Sequence, residues 1–141
     1  MSTLFPLAYR TVTAIEVIDG TTYIGDNAFR DCNGLLSIAI PSTVSSFGNA
    51  AFYGCNSLES IALPNDVQEI NDYMFAQCTS LLSIKMPSNM HSIGNYAFSY
   101  CTSLSAINVP DTVTELGKCA FEHCISLISA NVGSIMKTLG D

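Results

Sequence analysis

The chain has 141 residues, 48% of them hydrophobic and 12% charged, with a formal net charge of −7. That length suits one domain with a continuous core, and five Lys plus Arg cannot neutralise a run of phosphates, which argues against nucleic acid and against an anionic membrane surface. No apolar run approaches the ~18 residues of a membrane-spanning helix, and Met1–Arg10 lacks the basic start and apolar stretch of a signal peptide.

Residues 1–13, with Leu4, Phe5, Leu7 and Tyr9, read as a flank or as a capping segment over the N-terminal end of the domain. From residue 14 a single frame recurs. Phe29, Phe52, Phe75, Phe98 and Phe121 are spaced by 23 residues, as are Cys32, Cys55, Cys78, Cys101 and Cys124, and Leu35, Leu58, Leu81, Leu104 and Leu127. A fixed period of this length marks a solenoid, in which each repeat is one coil stacked on the next. A half repeat occupies 14–23, five full repeats lie at 24–46, 47–69, 70–92, 93–115 and 116–138, and residues 139–141 open another. In the half repeat, Ile15, Val17 and Thr21 stand one period before Ile38, Ile40 and Val44.

Within each repeat the elements come in a set order. Gly25, Gly48, Gly94 and Gly117 share one position, which Asn71 takes in the third repeat; that exchange predicts a left-handed backbone there. Next come Ala28, Phe29 and Cys32, at i, i+3 and i+4 spacings that predict a short α or 3₁₀ turn. Ile38 and Ile40 alternate with Ser37 and Ala39, which predicts a strand. Successive strands, all running the same way, are expected to pair as a parallel sheet of spacing ~4.8 Å. Pro41, Pro64, Pro87 and Pro110 close the strands, each followed by Ser, Asn or Asp in turn chemistry.

The Ala-Phe-x-x-Cys steps (Ala28-Phe29 to Cys32, Ala97-Phe98 to Cys101) and the Leu-x-x-Ile-x-Ile-Pro step (Leu35, Ile38, Ile40, Pro41) resemble the BspA-like leucine-rich repeats, over about residues 13–141. The resemblance implies an α/β solenoid: a right-handed leucine-rich-repeat coil stack with a parallel concave β-sheet and short convex helices. It also implies a protein of the cell surface or a secreted one, engaged in adhesion, matrix binding or aggregation, with no catalytic residues and no cofactor. The chain departs from the pattern at both ends, with Tyr9 where the Cys ladder would continue and with Ala130 and Gly133 for the Ile and Pro.

Five cysteines belong to the ladder and read as small buried hydrophobes with shielded, inert thiols. In-register Cβ atoms would stay near the coil spacing, beyond the ~3.5–4.5 Å that a disulfide uses. Cys119, His123 and Cys124 mimic a metal cluster or a Cys–His nucleophile pair. A zinc site needs a fourth ligand, no third catalytic group is identifiable, and Cys124 is due to point inward. His91 reads as a solvated surface residue. Tyr73 and Tyr96 share a frame position in adjacent coils and form a candidate aromatic patch, with Tyr53 and Tyr100 nearby.

The candidate partner-binding face comes from the outward strand positions. One row is Glu16, Ala39, Ala62, Lys85, Asn108 and Asn131; a second is Ala14, Ser37, Ser60, Ser83, Ala106 and Ser129; at the edge lie Leu36, Glu59, Leu82, Ser105 and Ile128. These rows are small and mostly neutral, so they admit a broad partner. The expected function is a non-enzymatic protein-interaction module, a fragment of or a small surface adhesin binding host or matrix proteins. The competing reading is a structural scaffold, possible inside the cell, that forms homo-oligomers by stacking head to tail through open coil ends. No acid–base pair, phosphate loop or nucleophile constellation supports an enzyme.

Overall fold

The computed structural model describes residues 11–131, with the backbone alone for 129–131. The proposed cap at 1–13 and the opening repeat at 139–141 therefore lie largely or wholly outside the described residues. Each 23-residue coil holds a three-residue strand, a tight turn, a two-residue strand and an arc of turns. The strands are β1 Ala14–Glu16, β2 Tyr23–Ile24, β3 Ser37–Ala39, β4 Ser46–Phe47, β5 Ser60–Ala62, β6 Glu69–Ile70, β7 Ser83–Lys85, β8 Ser92–Ile93, β9 Ala106–Asn108, β10 Glu115–Leu116 and β11 Ser129–Asn131. Every pairing is parallel and steps by one repeat, as in Ile15 with Ile38, Ile61 with Ile84 and Ile107 with Ala130.

The prolines act as the sequence indicates. Val44 N donates to Pro41 O at 3.2 Å, and Val67, Val113 and Met90 make the same bond to Pro64, Pro110 and Pro87. Each turn swings a buried Val or Met inward and leads into the second strand, whose inward residue is Ile24, Phe47, Ile70, Ile93 or Leu116. The second strand makes its own parallel ladder, for which the sequence carries no separate signal: β2 pairs with β4, and β6, β8 and β10 form one sheet.

The predicted helical turn is absent. Residues 26–32 and their copies form turns, and the described residues contain no α-helix. Two left-handed residues per coil break any helix: Asn27 and Asp31, Ala50 and Gly54, Tyr73 and Gln77, Tyr96 and Tyr100, Cys119 and His123. Alternate N–H groups then point to the next coil. Asn27, Phe29 and Asp31 donate to Asn49, Ala51 and Tyr53 carbonyls at 2.7–2.9 Å, while Ala28, Arg30 and Cys32 close local turns. The arc is thus a third coil-to-coil ladder, and the Phe–Cys spacing that imitates a helix face is a spacing between turns.

The left-handed backbone expected at the repeated glycine is also corrected, because the positive φ values fall two and six residues later. Glycine is required there by close approach. A Cβ on Gly94 would lie 2.5 Å from Asp72 Oδ1 and 2.7 Å from Asp72 N, and a Cβ on Gly48 or Gly117 would meet the backbone of the preceding coil. Asn71 departs from this frame. Its Nδ2 donates to Phe47 O, where Gly48, Gly94 and Gly117 use the backbone N–H on the coil before. The second-strand ladder is interrupted at this junction, between β4 and β6.

The core is built from like-on-like stacks. Ring centroids along Phe29, Phe52, Phe75, Phe98 and Phe121 are 5.4–5.5 Å apart, and Phe47 tilts onto Phe52 at 5.8 Å. Such contacts add ~0.5–1.5 kcal/mol each beyond apolar burial. The cysteines do more than fill space. The thiols of Cys55, Cys78, Cys101 and Cys124 donate to the Phe29, Phe52, Phe75 and Phe98 carbonyls at 3.1–3.2 Å. Each of these carbonyls also accepts the N–H of the Cys three residues on, so the thiol of the next coil is its second, weaker donor.

Candidate protein-interaction surface

The first strand set presents its outward side chains in straight rows because each coil repeats the register of the last. Glu16, Ala39, Ala62, Lys85 and Asn108 are all exposed, as are Ala14, Ser37, Ser60, Ser83 and Ala106. Asn131 and Ser129 continue these two rows through the β11 backbone. Between them the inward isoleucines lock the strands to the core.

The sheet is not uniform along the stack. β1 pairs with β3, β5 with β7 and β9 with β11, whereas β3 and β5, and β7 and β9, are neighbours that share no ladder. The edge row shows the same two-coil alternation. Leu36, Leu82 and Ile128 are 53%, 50% and 89% exposed, and Glu59 and Ser105 stand between them. The backbone N–H groups of these three apolar residues donate to Thr13, Glu59 and Ser105 carbonyls at 2.8–3.1 Å, on the coil before. The burial of the inward residues alternates too: Ile61, Leu63, Ile107 and Val109 are buried, and Ile38, Ile40, Ile84 and Met86 only partly so. The single-repeat frame conceals this 46-residue period, although comparing the edge row two repeats apart would have exposed it.

The arc carries the aromatic patch. Tyr73 and Tyr96 stack with centroids 5.0 Å apart and planes 5° apart. Tyr53 tilts against Tyr73 at 6.4 Å, and the Arg30 guanidinium lies 4.1 Å from the Tyr53 centroid. Tyr100 stacks on His123 at 4.4 Å. Tyr73, Tyr96, Tyr100 and His123 all sit at positive φ, and that conformation aligns them in straight columns. Each ring gives a face to a neighbour or to Arg30, while Tyr73 and Tyr100 stay 42% exposed and leave edges and hydroxyls open to a partner. A hydrogen bond with Cys119 raises the Tyr96 phenol above its ordinary value.

Cys119, His123 and Cys124 do not converge. Cys124 donates inward to Phe98 O, His123 lies on Tyr100, and Cys119 meets Tyr96. All six cysteines are free. Burial pushes the ladder thiols up, that of Cys124 to about 11 and those of Cys55, Cys78 and Cys101 further. They are therefore protonated donors at neutral pH, with little thiolate character. Beside Asn71, a shallow cavity of about 120 Å³ opens at the β4–β6 interruption, lined by Ser45, Ser46, Asp66, Gln68 and Glu69.

A stack of 23-residue coils with inward Leu, Ile and Phe ladders and parallel strands defines a leucine-rich-repeat protein. The BspA type leucine rich repeat region matches six times across residues 6–139, and the chain belongs to that family. Solved structures agree. A leucine rich cell surface protein from Faecalibacterium prausnitzii is 32% identical with a TM-score of 0.84, covering 90% of this chain and 34% of its own. A leucine-rich repeat protein from Bacteroides ovatus is 34% identical with a TM-score of 0.81, covering 84% of this chain and 33% of its own. The T. pallidum leucine rich repeat protein is 29% identical with a TM-score of 0.76, covering 85% and 69%. This chain thus spans about a third of the length of the first two. No match was found among curated proteins.

Proposed function

We propose that this chain is a protein-interaction module of a BspA-like surface adhesin, and that its first-strand face contacts host or matrix proteins. The observation that carries this reading is the division of the repeat. The inward positions keep to apolar residues because they stack, with Phe, Leu and Cys ladders unchanged, while polar, charged and small residues interchange freely along outward rows such as Glu16, Ala39, Ala62, Lys85 and Asn108. Leucine-rich repeats are generally protein-binding scaffolds, and an exposed face of Ala and Ser with few charges suits a broad macromolecular surface better than a small charged substrate. The cell-surface naming of the Faecalibacterium protein is consistent with the same setting.

The test is a plate assay of the chain against immobilised matrix proteins, with Ala62→Arg on the strand face and Tyr73→Ala on the arc. Saturable binding that Ala62→Arg abolishes and Tyr73→Ala spares supports the strand face. Loss with Tyr73→Ala alone would move the contact to the aromatic patch, and no binding to any matrix protein would defeat the adhesin reading.

A further inference from the structure

The apolar edge of the strand face has a spacing of its own. Leu36, Leu82 and Ile128 recur every second coil, and two coils span about 9.6 Å at the usual strand separation. Each is anchored through its own backbone N–H to the coil before it, so the three form a fixed ridge. Glu59 occupies the midpoint between Leu36 and Leu82 and is exposed. Beside the ridge runs the exposed row of small residues Ala14, Ser37, Ser60, Ser83 and Ala106.

We infer that the partner segment seated on this face is a basic amphipathic α-helix, lying along the stack with apolar residues at heptad spacing. The inference rests on the strand face being the contact surface and names what that face would take. Seven helical residues rise about 10.5 Å, close to two coils, and the residue at i+3 or i+4 returns to the same face about halfway. Apolar residues at i and i+7 therefore pack beside Leu36 and Leu82, and a Lys or Arg at i+3 or i+4 meets Glu59. The strand face carries Glu16 and Glu59 against one Lys85, and the chain's net charge of −7 likewise favours a basic partner.

Two other extended segments fit less well. Same-face residues of a β-strand recur at about 6.7 Å, which matches neither one coil nor two. A polyproline helix repeats every ~9.3 Å, but it returns no side chain to the midpoint and so leaves Glu59 unanswered. Polyproline recognition also relies on aromatic-lined grooves, and the described residues of this ridge are aliphatic.

The experiment titrates the full chain with three fluorescent synthetic peptides. One is a helix of about 21 residues with Leu every seventh position and Lys midway. The second is its scramble, and the third a Pro-rich peptide with an apolar residue every third position. The heptad peptide is expected to bind best. Leu82→Ser, a surface change that leaves the core intact, is expected to weaken it about tenfold, and Glu59→Lys similarly. A peptide with Glu in place of its Lys should recover binding to Glu59→Lys. Equal binding of the scramble, preference for the Pro-rich peptide, or indifference to Leu82→Ser would each overturn the inference. If a matrix protein binds and is lost with Ala62→Arg but not with Leu82→Ser, the adhesin reading stands and the helix falls. If no matrix protein binds while the heptad peptide behaves as expected, the converse holds.

Discussion

The arc and the first-strand face belong to the same coils, yet they obey different rules. Along the arc, three inter-coil hydrogen bonds recur at every junction from the first full repeat to the fifth, whatever the side chain: Ala50, Phe52 and Gly54 bond to Asp72, Met74 and Ala76 just as Tyr73, Phe75 and Gln77 bond to Asn95, Ala97 and Ser99. The strand face pairs in twos and alternates apolar with polar residues along its edge. The arc therefore holds the coils together by backbone, with the Phe and Cys ladders fastened behind it. The strand face is relieved of that duty, so its side chains and even its pairing vary. A solenoid can vary the side chains of one surface when a different surface keeps the stack.

The largest expected effect breaks the arc side. Phe75 is fully buried and stacks on Phe52 and Phe98, so Phe75→Ala should cost about 3–5 kcal/mol in urea unfolding. Gly94→Ala should cost about 1–3 kcal/mol, because its Cβ would press on the backbone of Asp72 as well as its side chain. A positive-φ account of Gly94 would instead predict relief by Asn. Gly94→Asn, compared with Ala by thermal unfolding, separates the two, and closer packing requires that both destabilise.

The thiols offer a pH test of the same side. In the fold, Cys55, Cys78 and Cys101 hold their protons above the ordinary value of 9.0, whereas the unfolded chain releases them near it. The folded state then binds more protons, and stability falls as pH rises past about 9. Each buried thiol should account for about 1.4 kcal/mol lost between about pH 7.5 and pH 10, read from urea midpoints, and Cys78→Ala should remove one such share. A stability that holds level through pH 10 would contradict the burial of these thiols. The smallest effect belongs to the strand face: Ser83→Ala should stay within about 0.5 kcal/mol of the parent.

Much of this was legible in the chain itself. The Phe, Leu and Ile ladders, the Pro turns and the outward rows derive from a period that only stacking satisfies. The arc reads as a helix in sequence because Phe29 and Cys32 stand three apart in a helix and in consecutive turns alike, and only φ distinguishes them. Gly94 reads as a conformational need although it serves contact, since both demands select glycine and the colliding atom lies a full repeat away in sequence. The carbonyl acceptor of each Cys, 26 residues distant, was hidden for the same reason.

What the sequence determined by itself is the identity of the ladders, because a side chain repeated every 23 residues has no lower-energy place than beside its own copy. What only the tertiary structure decided is how neighbouring coils meet: the turn arc in place of a helix, the glycine contacts, the break beside Asn71 and the two-coil rhythm that leaves Leu36, Leu82 and Ile128 as a ridge. Those features depend on distances between coils, and a repeat read one unit at a time contains no such distance.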